Sequence, residues 1–580
     1  MLVLALTFLG FIAFQALLKK YGPQPPVTQT QNQPAPAQAA APSPAPPPSV
    51  PSSASAVTTN TITKQASAEA ETVIENDLYR ITFTNRGAQV KSWILKKFDN
   101  DAQNGLLDLV NPAAAQKFGY PLALWTYDEP LRNRLNSSLY VASNEGRLTA
   151  PASITFEYAD QDLVVRKSFR FDHTYVLNVE TSVVYKGSPI FAAPAWPAGF
   201  GDEVTPASYA AAGIDYHNDA STERSGYIFF PNYVSRLAVK SISGGNTLKG
   251  PFEWAGTGDQ YFTAVFIPDD PATAAMVTLH NAMDIPQKPG FNPVGSNKDT
   301  ANVDLLGAAV GSLRGPTTER MYVGPKELAV LDAVPVPTIK NDSPDLRGIV
   351  NFGWWGILSR PLFLWLKWTY KHIVPNWGWA IVIQTFIISV ALLPLRITQM
   401  KSMLKMQRIQ PQIKSIQERY KKYSLRDPRK AAMNEEVSAL YKKEGVNPAG
   451  GCLPLLIQFP FLIAYYRMLG VALELRHAHW LWITDLSAAD WVLPLLMVVS
   501  MVVMQRMTPQ AGMDPAQQKM MTVMMPLMMG FIFFKLAAGL NLYYTESNLI
   551  SIAQQAVMNR TKLGREMREM MEKRARKKEK

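Results

Sequence analysis

Cysteine and histidine are the side chains that this sequence has least of. One cysteine, Cys452, and six histidines occur in 580 residues. A single cysteine excludes a disulfide framework within the chain, and there is no CxxC pair or Cys/His cluster with the spacing of metal ligands. We therefore expect no metal and no cofactor. The cysteine count carries no information about the redox compartment.

Motifs of catalysis and nucleotide binding are also missing. The sequence shows no nucleophile elbow and no phosphate loop, and the later apolar segments contain no histidine and no pair of carboxylates. An intramembrane active site needs such a nucleophile and base, or a metal pair. The lone His173 and His217 are interpreted as ordinary surface residues of the β domain and not as ligands. These absences argue against an enzyme.

Positive charge is plentiful but unevenly placed. The net charge is +12, and residues 396–450 carry 13 Lys and Arg against 5 Asp and Glu, while residues 559–580 carry 10 against 4. Both basic segments adjoin apolar runs, which is typical of membrane topology, whereas a nucleic-acid binder spreads its charge over a folded face. We expect membrane lipids as partners and no specific nucleic acid.

The amino-terminal part predicts an anchor followed by a tether. Residues 1–20 hold the apolar run "MLVLALTFLGFIAFQALL", which has the length of one span. A cleaved signal peptide is the alternative, but no small-x-small site precedes Lys19. Residues 21–68 are rich in Pro, Ala, Gln and Ser and predict a disordered linker.

Residues 69–340 change to a period of two. Segments such as "LVVRKSFRFDHTYVLNVETSVVY" alternate apolar and polar residues and are rich in β-branched and aromatic side chains. Strands of this kind, separated by Gly, Pro and Asn, predict a large antiparallel all-β sandwich domain.

The rest of the chain predicts membrane helices. Tryptophans cluster in residues 346–375, which favours an amphipathic helix lying at the membrane interface. Later apolar segments are each long enough to cross about 30 Å of hydrocarbon at about 1.5 Å per residue. With residues 1–20, they predict a multi-domain membrane protein with six helical spans and an outer β domain. The later spans are 376–395, 452–473, 491–507, 520–538 and 540–558.

Loop charge predicts the orientation of these spans. The basic segment 396–447 and the basic tail 559–580 belong in the cytoplasm with the loop 508–519, and the more acidic loop 474–490 belongs outside. Both termini are then cytoplasmic, and the β domain lies on the outer side.

Residues 396–447 predict a helical hairpin in the cytoplasm. Asp427 and Pro428 have the character of a helix start, and "EGVNP" ends the second helix. Tyr423, Arg426 and Asp427 form its expected tip. Anchoring to anionic lipid is one interpretation, and docking of a nascent chain, a ribosome or a partner is the other.

Cys452 lies in "PAGGCLP", which resembles a lipoprotein processing site. Such a site follows an amino-terminal signal, whereas Cys452 follows the predicted hairpin. We therefore interpret Cys452 as a small buried apolar residue.

Several stretches together resemble one family. "VNPAGGCLPLLIQFPFLIAYYRML", "LPLRITQMKSMLKMQRIQPQIKSIQERYK", "MDPAQQKMMTVMMP" and "AGLNLYYTESNLISIAQQ" are similar to the membrane half of the YidC family of bacterial membrane protein insertases. "TNRGAQVKSW", "WAGTGDQYF" and "YVGPKEL" resemble its β-domain motifs. The long β domain implies the form found in bacteria with an outer membrane.

This resemblance implies a function. A chaperone of this kind inserts and folds newly made proteins in the inner membrane, alone or with the Sec translocon, through a groove open to cytoplasm and lipid. The ribosome and the signal recognition pathway are further implied partners. The rival interpretations are a Sec-associated assembly factor without insertion activity of its own and a secondary transporter, although the sequence shows no internal repeat.

Polar residues within apolar spans normally face protein or water, so they identify a candidate substrate groove. The resemblance implies an arginine in this groove at the position of Ser389, five residues before Pro394. Arg396 could replace it from below, Arg467 could supply the charge from the third span, or the groove could lack a charge. The predicted groove residues are Gln384, Thr385, Ser389, Arg396, Gln458, Tyr465, Arg467 and Met528.

Three charged residues predict an ionic cluster at the outer face. If the last two spans turn near residues 539–540, then Lys535, Glu546 and Arg467 lie at similar depths. We expect Glu546 to pair with Lys535 or Arg467. The alternative is that the two cations extend to the headgroups while Glu546 meets water.

Overall fold

The computed structural model describes residues 63–218, 234–237, 239–286, 300–337, 346–423, 427–445, 453–507 and 520–561, with Arg565 and Glu569. Its contacts divide the chain into a strand-rich unit, Met1–Ser225 with Asn232–Ile349, and a helical unit, Gly226–Pro231 with Val350–Lys580. Several predictions lie outside the described residues: the first span 1–20, most of the linker 21–68, the loop 508–519, Cys452, Arg426 and nearly all of the tail 559–580.

The strand-rich unit follows the period-two pattern of its sequence. Along Leu163–Phe171, side chains alternate between buried and exposed or partly exposed positions, as a half-buried strand requires. The strands are β1 Glu71–Glu75, β2 Tyr79–Thr84, β3 Gln89–Asp99, β4 Leu106–Asp108, β5 Ala123–Trp125, β6 Val141–Ala142, β7 Gly146–Thr149, β8 Ala152–Ala159, β9 Leu163–Phe171, β10 Val176–Tyr185, β11 Ser188–Pro189, β12 Ala193–Trp196, β13 Gly213–Asn218, β14 Ser235–Leu237, β15 Asn246–Lys249, β16 Phe252–Gly258, β17 Phe262–Pro268, β18 Ala274–Pro286, β19 Thr300–Ser312 and β20 Thr317–Pro325.

These strands form three sheets. Their orders are β4-β3-β2-β1-β7, then β14-β13-β16-β17-β20-β10-β9-β8-β6 with β11 on β10, and finally β15-β18-β19-β12-β5. The longest pairing joins β18 to β19 from Ala274 opposite Ser312 to Pro286 opposite Thr300. The pair β1 and β7 is parallel, which departs from the purely antiparallel prediction.

A buried lysine connects three segments of this unit. Lys167 on β9 has no exposed surface, and its ammonium donates to the carbonyl oxygens of Gly87, Ala88 and Leu122 at 3.0, 2.6 and 2.6 Å. Burial lowers the pKa of Lys167 to about 7. Three carbonyl acceptors need three N–H donors, so these hydrogen bonds oppose that shift and favour the ammonium form.

A buried carboxyl group in the same unit has no such partners. Glu319 on β20 is 1% exposed, and neither of its carboxylate oxygens has a hydrogen-bond partner among the described residues. Burial, followed by the nearby charge of Asp269, raises the pKa of Glu319 well above its usual range. Its surroundings therefore favour the neutral form of this carboxyl group.

Twelve helices occur in the described part of the chain. The strand-rich unit holds α1 Pro112–Phe118, α2 Glu129–Ser137, α3 Pro206–Tyr209 and α4 Leu328–Asp332. The helical unit holds α5 Gly356–His372, α6 Trp377–Ala391, α7 Leu393–Arg419, α8 Arg429–Lys443, α9 Leu453–Val471, α10 Val492–Met507, α11 Met525–Phe533 and α12 Ala538–Arg560. A π-helical turn, Met520–Met524, precedes α11.

Local chemistry sets the boundaries of α6. Asn376 caps its start, because the side-chain oxygen accepts from the backbone N–H of Trp379 at 3.1 Å. Pro394 lies in the first turn of α7, where its ring would clash with the carbonyl of Val390 in a continuous helix. The apolar segment predicted at 376–395 is thus divided after Ala391.

Length and composition identify one candidate crossing in the described part of the chain. No single helix there is both long and apolar enough to cross a membrane. Helices α5 and α6, bent by 120° at their junction, reach the required length and composition only as a pair. The count of six spans stays a prediction.

The predicted cytoplasmic hairpin corresponds to α7 and α8. Ile409 and Ile413 on α7 are buried and pack against Val437 and Leu440 on α8. The apolar stripe of α7 therefore has a protein partner for this part of its length.

A tight turn joins α11 to α12. Asn541 is fully buried, and its side-chain amide donates to the carbonyl oxygens of Phe533, Leu536 and Ala537 at 3.0, 3.2 and 3.3 Å. These carbonyls belong to the end of α11 and the turn. Those of Phe533 and Ala537 also accept from backbone N–H groups, so the side chain of Asn541 adds to the hydrogen bonds of the turn.

Candidate functional site

One face of α6 carries three buried polar residues. Gln384, Thr385 and Ser389 are 0%, 1% and 4% exposed. Their spacing places them on the same side of a helix. The hydroxyl of Thr385 donates to the carbonyl of Ile381 at 2.7 Å, so part of this face is satisfied within α6 itself. Buried polar groups need such partners, so Gln384 and Ser389 are expected to find theirs on neighbouring helices.

Gln384 bridges two other helices. Its amide nitrogen donates to the carbonyl of Leu362 on α5 at 2.9 Å, and its oxygen accepts from the hydroxyl of Tyr465 on α9 at 2.6 Å. The Tyr465 ring stacks on Tyr543 of α12, with centroids 4.0 Å apart and planes 12° apart. Four helices are therefore joined through two polar contacts and one aromatic contact.

Arg396 reaches the lower part of the same face. From α7 its guanidinium donates to the hydroxyl of Ser551 and to the side-chain oxygen of Gln554, at 2.5 and 2.8 Å. The amide nitrogen of Gln554 donates in turn to the backbone carbonyl of Ser389 at 3.3 Å. The side chain of Gln554 thus connects the guanidinium of Arg396 to position 389, where the resemblance implies an arginine.

Arg467 lies elsewhere in the helical unit. Its guanidinium adjoins Gly353, where the Cβ of any other residue would lie 3.2 Å from Nε. Gly353 has φ +67, a conformation that favours glycine. Close approach and backbone conformation both favour glycine at this position. Arg467 therefore contacts the segment before α5, not the residues around Ser389.

The predicted outer-face cluster of Arg467, Lys535 and Glu546 stays a prediction. Within the described residues, Oε2 of Glu546 is buried without a partner, and the ammonium of Lys535 lies over the ring of Phe531 at 5.9 Å. The turn occupies residues 534–537, earlier than assumed, so Lys535 lies in the turn itself. Glu546, eight residues beyond the start of α12, lies about 12 Å further along the helix.

A different ion pair occurs near the carboxyl end of α9. The ammonium of Lys367 on α5 lies 2.9 Å from the carboxylate of Glu474. The side chains are 33% and 14% exposed, so water screens the pair only in part. This pair fixes α5 to the segment that follows α9.

The hairpin tip is organised around a residue that the sequence interpretation did not select. Asp427 accepts from the backbone N–H of Arg429 at 2.9 Å, and its carboxylate lies 3.1 Å from the guanidinium of Arg429. The backbone hydrogen bond from Arg429 lowers the pKa of Asp427. Arg429 also lies over the ring of Tyr423 at 4.1 Å. It therefore joins the two described residues of the predicted tip.

Two further predicted groove residues are Met528 and Gln458. Met528 on α11 is 44% exposed, and the side chain of Gln458 lies outside the described atoms. The prediction omitted Ser551 and Gln554 from the site. Their signal was available, because Ser547, Ser551 and Gln554 recur at helical spacing on α12. No metal-binding group of three or more His, Cys, Asp or Glu occurs among the residues described.

Known proteins resemble both units of the chain. The family model "60Kd inner membrane protein" matches residues 368–565, and "YidC periplasmic domain" matches residues 71–365. The membrane protein insertase YidC of Citrifermentans bemidjiense is 30% identical over 508 residues, which cover 84% of this chain and 85% of that relative. The YidC of Cupriavidus pinatubonensis is 44% identical over 247 residues, covering 42% and 41%.

A solved structure also matches. A crystal structure of an active YidC insertase with its first transmembrane domain resolved has a TM-score of 0.35 and 19% identity, covering 86% of this chain and 95% of that one. The family models and the relative from Citrifermentans bemidjiense extend over both the strand-rich and the helical unit. The chain therefore belongs to the YidC family of membrane protein insertases, whose form here combines a periplasmic β-rich domain with an inner-membrane helical part.

Proposed function

We propose that this chain inserts newly made proteins into the inner membrane through a polar groove among its helices and assists their folding. It acts alone or together with the Sec translocon. The basic hairpin and tail face the cytoplasm, where they meet ribosomes and the signal recognition pathway, and the β domain faces the periplasm. Six spans are proposed in total.

The observation that carries this proposal is the buried polar set of the helical unit. Gln384, Thr385 and Tyr465 are almost fully buried within apolar helices, and Arg396 is held among Ser551 and Gln554. Polar groups are costly in hydrocarbon, so their concentration is typical of a path for polar cargo. A hydrophilic segment that enters such a path crosses less hydrocarbon than it would in free lipid.

Arg396 is proposed as the positive charge of the groove. Its hydrogen bonds to two neutral side chains leave the charge without a carboxylate partner among the described residues. A guanidinium has five N–H donors in a fixed geometry, so an acidic group of the substrate could still bind it. We infer that Arg396, and not Arg467, takes the role expected at Ser389.

Reconstitution tests the function directly. The purified full-length chain in liposomes should insert a small single-span substrate without nucleotide, measured as protease protection of the translocated segment. Insertion that occurs only when the Sec translocon is co-reconstituted would show a Sec-associated assembly factor instead. Empty liposomes, and liposomes containing the translocon alone, provide the two baselines.

A further inference from the structure

Glu546 is a half-buried residue whose carboxylate the polar network does not use. It projects from α12, and its Oε2 is buried without a hydrogen-bond partner among the described residues. The hydroxyl of Thr385 faces this carboxylate, and Tyr465 is close enough to interact with it electrostatically. Glu546 therefore borders the same residues that form the upper part of the proposed groove.

The hydroxyl groups of Thr385 and Tyr465 each donate to another acceptor. Thr385 uses its single O–H on the carbonyl of Ile381 at 2.7 Å, because a carbonyl oxygen can only accept. Gln384 must direct its nitrogen toward the carbonyl of Leu362, which leaves its oxygen toward Tyr465, so the tyrosine hydroxyl donates there at 2.6 Å. Both donors are already engaged.

Arg396 does not neutralise Glu546 either. Its partners Ser551 and Gln554 lie five and eight residues further along α12, which is about 7.5 and 12 Å along the helix axis. The proposed groove thus contains a negative group at one level and a positive group at another. A carboxylate oxygen such as Oε2 of Glu546 that is buried without a donor is unfavourable, and an incoming cation would relieve this cost.

We propose that Glu546 determines substrate specificity by binding a lysine or arginine in the segment that the groove carries across the membrane. This proposal rests on the proposed insertase function. The substrate ammonium or guanidinium would donate to Glu546 and form a charge-assisted hydrogen bond in a site of low dielectric. Arg396 serves acidic segments at the other level.

The test compares three substrates that differ at one position. A single-span protein carries Lys, Gln or Glu at the same place in its translocated segment, and insertion into liposomes is measured by protease protection. The liposomes hold no membrane potential, because a potential acts on the movement of charge by itself. Full-length parent, Glu546→Gln, Glu546→Asp and the control Glu145→Gln, an exposed carboxylate of the strand-rich unit, are compared at equal membrane levels.

Glu546→Gln should reduce insertion of the Lys substrate by about ten-fold, the size of one charge-assisted hydrogen bond, and leave the Gln substrate unchanged. Glu546→Asp should retain a preference for the Lys substrate. Equal losses for the Lys and Gln substrates, or no loss, would overturn the specificity role. If the parent inserts none of the three substrates, the insertase function itself is wrong.

Discussion

The hydroxyl of Tyr465 donates to the side-chain oxygen of Gln384 at 2.6 Å, and both side chains are wholly buried. This bond connects α6 to α9, and the other end of the same amide binds α5. Removing either side chain leaves the other buried without its hydrogen bond, which costs about 1–3 kcal/mol. The pair is therefore a strong contributor to the arrangement of these helices.

Tyr465→Phe should lower the free energy of unfolding by about 1–3 kcal/mol, because the oxygen of Gln384 loses its donor. In a Gln384→Leu background the same change should cost much less. Thermal unfolding of the four proteins in detergent measures this coupling. The control is Tyr466→Phe, on the neighbouring residue, whose hydroxyl makes no hydrogen bond within the described part of the chain. Additive effects of the two changes would show that the bond contributes nothing.

Arg396→Ala should impair insertion of substrates with acidic translocated segments more than that of neutral ones, since it removes the positive charge near Ser389. A loss of about ten-fold corresponds to one charge-assisted hydrogen bond. Liposome insertion assays with matched acidic and neutral substrates measure the difference. Arg506→Ala, an exposed arginine at the end of α10, is the matched control. A uniform decrease for both substrates would contradict the role.

Deletion of residues 423–434 at the hairpin tip should abolish insertion while the protein stays in the membrane, if the hairpin receives substrate. Arg429→Ala should weaken insertion in part, because it removes the contacts to Asp427 and Tyr423. Lys422→Ala removes an equal charge from an exposed position nearby and is the control. Equal effects of these two substitutions would favour lipid anchoring, and normal activity of the deletion would show that the hairpin is dispensable.

Glu319→Gln should stabilise the β domain increasingly as pH rises. In the unfolded chain Glu319 loses its proton at about pH 4.3, whereas the folded domain keeps it protonated at higher pH. The native state therefore loses stability as pH rises above that value. The slope is at most about 1.4 kcal/mol per pH unit. Urea unfolding of the full-length chain, with proteolysis as the readout, measures the difference in stability between about pH 5 and 8. Glu180→Gln, exposed on the paired strand β10, should give no pH-dependent gain.

Sequence periodicity predicted the strand-rich domain because burial imposes the alternating pattern directly. Strands such as β9 alternate between buried and more exposed side chains. The parallel pairing of β1 with β7 was not predictable, since it depends on which strands meet across long loops.

The turn before α12 shows what the sequence could not locate. It was placed near residue 540, whereas the structure begins it at Phe534. A shift of about five residues in a turn moves a side chain by about 7.5 Å along a helix and also rotates it to another face. The contact of Arg396 with Ser551 and Gln554 likewise depends on tertiary packing.

The side chain of Asn541 makes two helices depend on one residue. Its buried amide, on α12, donates to carbonyl oxygens at the end of α11 and in the turn between the helices. The end of α11, the turn and the start of α12 are therefore expected to keep or lose their arrangement together.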